Sequence, residues 1–138
     1  MKLGHWNSTC DVPEDAVGFI YEITNLISNK KYIGRKALTS TRRKQVKCKT
    51  KPGKKTARIT KQSNWMEYTG SCRQLNEDIA KLGKDHFRFD ILSFHSTKAT
   101  LNYEEVKQLI FRGALTSYLA NNEPAYYNGL IPPVRTRP

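Results

Sequence analysis

The sequence predicts a small α/β fold in which a three-stranded, largely antiparallel sheet is flanked by helices. Three observations support this prediction: two short β-type segments near the start of the chain, two amphipathic helical segments in its second half, and a strand pattern between those helices. A chain of 138 residues is the usual size of one domain. A sheet covered by helices lets such elements bury their apolar faces together.

The first two strands are predicted to form a β-hairpin. Residues 19–23 alternate with a period of two, so every second side chain shares one face. Residues 25–30 are rich in turn formers, and residues 31–34 resume an aromatic and β-branched run. Residues 1–16 have no usable period and are expected to form an irregular N-terminal arm.

A basic segment, residues 35–63, follows the hairpin and is predicted to be an insertion in the domain. No acidic residue occurs between Glu22 and Glu67. A short helix is expected near residues 38–47. The rest of the segment is expected to be a mobile loop, because like charges at this density repel one another.

A helix, a strand and a longer helix are predicted in the second half. Ser71 and Gln74 have the spacing of a capping box, and apolar residues then recur at helical spacing. Residues 87–92 alternate as in a strand, residues 93–100 are expected to be a loop, and residues 101–120 a longer amphipathic helix. The predicted core contains Trp65, Leu75, Ile79, Phe87 and Leu109.

The charge of the chain favours a polyanionic partner. Lys and Arg number 24 against 12 Asp and Glu, which gives a net charge of +12. Nucleic acid and an anionic membrane are the two candidates. The membrane is the weaker one, because no apolar run approaches the ~20 residues that a spanning helix needs.

An intracellular, cytoplasmic location is expected. The N-terminal residues lack the apolar core of a signal peptide. Cys10, Cys48 and Cys72 show neither a disulfide framework nor a zinc-type spacing, so we expect reduced thiols.

Two short strings in the predicted hairpin provide the strongest functional signal. Gly18-Phe19-Ile20-Tyr21 and Tyr32-Ile33-Gly34 are separated by ten residues, and Glu105 lies on the last long helix. In this order they resemble the GIY-YIG nuclease superfamily, over about residues 17–128. The first string has one residue more than the family's Gly-Ile-Tyr, whereas the second matches without change.

The resemblance implies an enzyme that cuts double-stranded DNA with one metal ion held by a glutamate. It implies catalytic roles for the two motif tyrosines, an arginine about eight residues after the second motif, the glutamate and a late asparagine. The matching positions are Tyr21, Tyr32, Arg42, Glu105 and Asn128. Many relatives also have a basic residue directly after the second motif, which here is Arg35. Mg²⁺ is expected on Glu105, with Mn²⁺ able to substitute.

Residues 65–71 and 82–92 further resemble free-standing phage nucleases of the homing-endonuclease type. A phage or mobile-element origin is therefore implied. The chain departs from the family at Val46, where a His or Tyr often follows the arginine by four residues. The expected organisation is an N-terminal arm (1–16), a nuclease domain (17–128) and a C-terminal tail (129–138).

Phosphodiester hydrolysis needs a deprotonated water, neutralised charge on the phosphate and support for the leaving oxygen. The resemblance implies that the metal on Glu105 and the guanidinium of Arg42 supply the charge. Tyr21 is the candidate base, if neighbouring positive charge lowers its pKa, and Tyr32 is its rival. Both could instead be ordinary strand aromatics.

Helix geometry distinguishes Glu105 from its neighbour Glu104. Glu105 precedes Leu109 by four residues, which places it at the margin of the apolar stripe. Glu104 shares a face with Lys107 and suits a solvated pair. Glu105 is therefore the carboxylate expected to face the sheet and to hold a metal.

The basic segment is expected to grip DNA phosphates rather than read bases, with a solvated loop as the alternative. Arg35 and Arg43 remain rivals of Arg42 for the scissile phosphate. A non-catalytic RNA- or ribosome-associated protein that kept the fold is the second function class, and the oligomeric state is open. The expected DNA-binding residues are Lys36, Arg43, Lys44, Lys47, Lys49, Lys51, Lys54, Lys55, Arg58 and Lys61.

Overall fold

The computed structural model describes residues 3–47 and 54–133, and for residues 41–47 and 54–59 it describes the backbone alone. Short 3₁₀ turns lie at Trp65–Glu67 and Lys84–His86. No helix among the described residues is both long and apolar enough to cross a bilayer. In chain order the strands and helices are β1 (Gly18–Asn25), β2 (Lys31–Ala37), β3 (Thr39–Lys47), β4 (Lys54–Gln62), α1 (Arg73–Leu82), β5 (Phe87–His95) and α2 (Lys98–Phe111).

The main sheet has the strand order β2-β1-β5, with both pairs antiparallel. This confirms the predicted three-stranded sheet and its flanking helices. β1 is central and buried on both faces, so its alternating pattern separates two cores rather than a core and solvent. Tyr21 lies opposite Gly34 of β2 and Ile91 of β5, next to a register shift between Ile20 and Tyr21.

The two faces of β1 pack against different elements. Phe19, Tyr21 and Ile23 join a core with α1 and the N-terminal arm, in which Trp65, Leu75 and Phe87 are also buried. Ile20 and Ile33 form a second core with Leu101 and Leu109 of α2. The predicted core residues are therefore confirmed, with Ile79 packed at its margin.

The N-terminal arm is irregular, as predicted, but it is built into the first core. Trp6 is only 4% exposed, and its indole donates to the Trp65 carbonyl. Asn7 pairs with the outer edge of β5, where its amide donates to Phe89 and its carbonyl accepts from Ile91, both at 2.8 Å. The arm thus covers a sheet edge that would otherwise be open.

Residues 35–37 of the basic segment end β2, and the segment from Thr39 forms a two-stranded ribbon, so the predicted helix near residues 38–47 is wrong. β3 and β4 pair antiparallel from Thr39–Gln62 to Lys47–Lys54. The expected loop is also wrong for residues 54–62, whereas residues 48–53 lie outside the described part. The ribbon's sequence is rich in β-branched residues, which favour strands even among charges. They are Thr39, Thr41, Val46, Thr56, Ile59 and Thr60.

The predicted capping box is wrong, because α1 begins with Cys72 as its N-cap and makes no side-chain cap. The Asn76 side chain instead organises this turn. Its amide group donates to the carbonyls of Gly70 and Cys72, each at 3.0 Å, and its oxygen accepts from Thr69 at 2.6 Å. Ser71 is therefore free to face Tyr32.

α2 begins earlier and ends earlier than predicted. The Thr97 hydroxyl caps the amide of Thr100 at 3.1 Å, so residues 98–100 are helical rather than loop. The helix stops at Phe111 because Gly113 takes a positive φ of 59° and reverses the chain. Ala114 is still buried, although it lies beyond the helix.

Candidate active site

Five of the predicted site residues line one cavity of about 470 Å³. The cavity lies between β1, β2, the start of α1, α2 and the segment that follows α2. Local packing and two glycine positions bring these distant parts of the sequence together. The five predicted residues in its lining are Tyr21, Tyr32, Arg35, Glu105 and Asn128.

The glycine of the second motif makes room for the tyrosine of the first. Tyr21 is opposite Gly34 in the ladder, and a Cβ on Gly34 would lie 2.3 Å from the Tyr21 hydroxyl. No side chain fits at that distance. The outer part of the Tyr21 ring therefore packs against Gly34, with 1% of the residue exposed.

The glycine of the first motif lets α2 approach the sheet. A Cβ on Gly18 would lie 2.7 Å from Leu101 Cδ2 and 2.7 Å from the Lys36 carbonyl. Glu105 follows Leu101 by one helical turn, so both residues lie on the same face of α2. Gly18 thus sets the depth at which α2 presents Glu105 to the cavity.

Glu105 is a largely buried carboxylate with one cationic neighbour among the side chains that the structure describes. Its side chain is 12% exposed, and Arg35 Nη1 lies 3.8 Å from its Oε1. Burial raises the pKa of Glu105, while the Arg35 charge and a hydrogen bond with the Arg35 backbone oppose that rise. The Arg35 guanidinium also donates to Asn102 on α2. Arg35 is therefore held beside the carboxylate.

Glu104 lies on a different face of α2 from Glu105. Its carboxylate accepts a hydrogen bond from Gln108 at 2.9 Å, one turn along the helix. Among the described residues it is not part of the cavity wall. The two adjacent glutamates thus have different surroundings, as the helical face argument anticipated.

The two motif tyrosines are neighbours in the cavity wall. Their ring centroids lie 6.1 Å apart, and the Tyr32 hydroxyl lies 3.5 Å from Ser71 Oγ. Burial raises the pKa of Tyr21 well above its usual value and also raises that of Tyr32, with smaller contributions from neighbouring acidic groups. The lowered pKa on which a base role for Tyr21 depends is therefore not found in the protein alone, because burial raises the pKa and the neighbouring Tyr32, Tyr68 and Glu105 raise it further.

Asn128 ties the C-terminal segment to the second motif. Its side-chain oxygen accepts from the Ile33 amide at 2.9 Å, and its amide group donates to the Ile33 carbonyl at 2.8 Å. The Tyr127 amide and the Lys31 carbonyl pair in the same way at 2.7 Å. The segment thus continues the sheet at the open edge of β2, where the Asn128 side chain makes one acceptor and one donor hydrogen bond.

Arg42 lies on β3, opposite Ile59 of β4, and its side chain lies outside the described part of the structure. The described Lys36 Nζ lies 4.1 Å above the ring of Tyr68, and Lys61 is exposed near the end of β4. Lys49 and Lys51 lie outside the described residues. The remaining predicted DNA-binding residues have only their backbone described; they are Arg43, Lys44, Lys47, Lys54, Lys55 and Arg58.

Four further polar or aromatic residues of the cavity were not predicted from the sequence to be site residues: Tyr68, Ser71, Cys72 and Tyr127. The sequence signal that could have indicated these residues is the neighbouring Gly70. It takes a positive φ of 85°, and a Cβ there would approach Tyr32 Cε1 to 3.1 Å. A glycine amid polar and aromatic residues marks such a close approach of backbone to a site.

The donor set of the cavity fits Mg²⁺ better than zinc. Among the described residues, Glu105 is the only carboxylate in the wall, and no group of three His, Cys, Asp or Glu side chains comes together. Structural and catalytic zinc sites use three or four protein ligands. Mg²⁺ commonly takes one or two carboxylates and completes its shell with water and substrate phosphates.

Comparison with known protein families identifies the family to which the chain belongs. The family model described as "Putative endonuclease segE, GIY-YIG domain" matches residues 5–131, which include the arm from His5, the whole sheet, both helices and Asn128. No curated protein and no solved structure matches the chain. The match covers nearly the whole sequence, and both motifs meet at one cavity. The chain therefore belongs to the SegE GIY-YIG family and is a Seg-like nuclease of the homing type.

Proposed function

We propose that the chain is a metal-dependent endonuclease that hydrolyses phosphodiester bonds in double-stranded DNA. The observation that supports this most is the meeting of Tyr21, Tyr32, Arg35 and Glu105 at one cavity. Seg-like relatives favour a phage or mobile-element origin and action in the cytoplasm of the host cell. The net charge of +12 suits a polyanionic substrate.

Glu105 is the residue we assign to the metal. A bound Mg²⁺, or Mn²⁺ in its place, would supply positive charge to the non-bridging and leaving oxygens of the phosphate. Burial raises the free energy of the ionised Glu105 carboxylate, so a nearby dication would stabilise that form. Glu105 is rigidly presented, because it lies one turn from the buried Leu101.

Arg35 is the residue we assign to the scissile phosphate. Its side chain is 40% exposed and lines the cavity beside Glu105, so it has access to both substrate and carboxylate. A planar guanidinium can donate two parallel hydrogen bonds to a phosphate. Arg42, which the family spacing indicates, remains the alternative.

The two tyrosines are assigned to hydrogen bonding around the attacking water and the phosphate. The raised pKa of each phenol keeps its proton in place at neutral pH in the protein alone. Tyr32 is partly exposed, whereas Tyr21 is fully buried beneath it. We therefore infer that Tyr32 contacts the water directly and that Tyr21 orients Tyr32. Ionisation of Tyr32 as a base would need added positive charge.

The test is cleavage of supercoiled plasmid by purified protein with Mg²⁺, Mn²⁺ or EDTA. The proposal predicts nicked or linear product with either divalent ion and none with EDTA. A single-stranded RNA of matched length serves as the substrate control. Protein that binds plasmid but leaves it intact across both metal titrations would support the non-catalytic nucleic-acid-binding alternative.

A further inference from the structure

We propose that a second cavity beside the active site binds the DNA backbone next to the cut, with Lys36 and Lys98 as its phosphate ligands. This subsite, defined by Arg35, Lys36, Tyr68 and Lys98, rests on the proposed function. It assigns a role to Lys98, which neither the motifs nor the basic segment singled out.

The subsite is continuous with the active site. Its cavity measures about 550 Å³, and it shares Arg35 and Tyr68 with the active-site cavity. Arg35 directly precedes Lys36 on β2, and Lys98 is the first residue of α2. A strand whose scissile phosphate lies against Arg35 would therefore bring an adjacent phosphate between β2 and the start of α2.

The walls of the subsite select for an anion. Arg35, Lys36 and Lys98 are cationic, and among the described residues no carboxylate lines this cavity. Neither lysine forms an ion pair with a described carboxylate, in contrast to Lys31, which lies 3.7 Å from Glu22. The undescribed residues contain no Asp or Glu that could serve instead.

Lys36 is held in place without a counter-ion. Its Nζ lies 4.1 Å over the ring of Tyr68, a cation–π contact that fixes the ammonium at the rim shared by the two cavities. Burial lowers the pKa of Lys36, which shows that the ammonium is partly desolvated. A phosphate oxygen would supply the missing negative charge.

The other groups around the subsite, Tyr68 and the start of α2, are also suited to binding a nucleic-acid strand. Tyr68 packs edge-on against Tyr21, with ring centroids 6.2 Å apart, so it is rigid and borders both cavities. The aligned peptide dipoles of α2 add partial positive charge near Lys98. A metal cation would find no carboxylate among the described residues here, and an uncharged ligand would leave Lys36 and Lys98 without a described counter-ion.

The first test measures binding of a fluorescent DNA duplex in EDTA between 50 and 300 mM salt. Lys36→Gln and Lys98→Gln should each reduce the slope of log affinity against log salt by about 0.9, the value for one lost phosphate contact. Lys36→Arg keeps the charge and should keep the slope. Lys107→Gln is the matched control, because Lys107 is exposed on α2 and lines neither cavity.

The second test locates the phosphate. Once the cut position on a duplex is mapped, each flanking phosphate is replaced in turn by a neutral methylphosphonate. The wild-type protein should lose affinity at one position close to the cut, and Lys98→Gln should be insensitive at that same position. Equal losses for wild type and variant at every flanking position would overturn the proposal.

The experiments can contradict the subsite and the proposed function independently of each other. The binding slopes are measured without metal, so they test the subsite even if plasmid is never cut. Normal Mg²⁺-dependent cutting with slopes for Lys36→Gln and Lys98→Gln equal to that of Lys107→Gln would overturn the subsite alone. Reduced slopes with no cutting would support the subsite and contradict the nuclease proposal.

Discussion

At the scale of single residues, two glycines shape the site as much as the reactive side chains do. Gly34 leaves space for the Tyr21 ring, and Gly18 leaves space for Leu101 of α2. A side chain at either glycine position would push a buried neighbour out of its place beside the cavity. The two motifs thus specify close packing between the strands and α2 as well as the reactive side chains of the site.

Gly34→Ala should lower the free energy of unfolding by ~1–3 kcal/mol, the usual cost of overpacking a core. The new methyl group would lie 2.3 Å from the Tyr21 hydroxyl and 2.5 Å from its Cζ, so the buried Tyr21 ring would have to shift. Urea denaturation measures the change. Gly129→Ala is the control, since a Cβ there meets nothing within 4 Å. Equal stabilities for the two variants would contradict the packing account.

Arg35→Ala should slow single-turnover cleavage by ~10²–10³-fold at saturating enzyme, because it removes a preorganised donor from the developing charge. Arg35→Lys should restore only part of the rate, since an ammonium lacks the planar fork. Arg42→Ala is the informative comparison. A near-normal rate for Arg35→Ala together with a large loss for Arg42→Ala would show that the family spacing, and not the cavity, identifies the clamp.

Much of the site could be predicted at this scale, and the exceptions have physical reasons. Tyr21, Tyr32 and Glu105 follow from motif order and helical face. The amide of Asn128 has its partners in Ile33, 95 positions away, so no local pattern reveals whether it faces substrate or backbone. The direction of the Tyr21 pKa shift depends on burial, which a strand pattern alone does not quantify.

At the scale of elements, the N-terminal arm packs against the residues that form one wall of the candidate active site. Trp6 packs against Phe19 and Tyr21, with ring centroids 5.2 and 5.0 Å apart. The ring nitrogen Nε2 of His5 lies 3.0 Å from the carbonyl of Tyr68, and burial lowers the His5 pKa to about 4. The histidine is thus neutral at pH 7 and can donate to that carbonyl.

Trp6→Ala should cost ~3–5 kcal/mol of unfolding free energy, as expected for truncating a large buried aromatic residue. Trp6 is 4% exposed, so the space it leaves lies inside the first core. Tyr118→Ala removes an aromatic ring that is 65% exposed and is the matched control. Urea denaturation compares the two. A loss no larger than that of the control would mean that the arm merely rests on the surface.

Elements with a clear period were predictable, and those with competing signals were not. β1 and β5 alternate with a period of two, β2 begins with an aromatic and β-branched run, and α1 and α2 have apolar stripes. The ribbon was missed because its many charges obscured the β-branched residues in its sequence. Its two strands, β3 and β4, pair with each other, and neither strand pairs with the predicted sheet. The packing of the arm was missed because it depends on single residues, such as Trp6 and Asn7, rather than on a period.

At the scale of the whole molecule, a strongly basic chain presents a carboxylate in its candidate site. The chain carries a net charge of +12, yet the carboxylate of Glu105 lines the cavity, with Arg35 as its described cationic neighbour. The carboxylate would repel a phosphate unless a further cation lay between them. The central claim is therefore that Glu105 holds the metal that allows DNA to be cut.

The most direct measurement of that claim is single-turnover plasmid cleavage in Mg²⁺ by wild type, Glu105→Gln and Glu104→Gln, with DNA binding measured in parallel. Glu104→Gln keeps the oxygen that accepts from Gln108, so its rate should stay within a few-fold of wild type. Glu105→Gln should bind DNA at least as well as wild type but lose cleavage by ~10³-fold or more, because it removes the only carboxylate in the described wall of the cavity. Substantial cleavage by Glu105→Gln, or a larger loss in Glu104→Gln, would contradict the account.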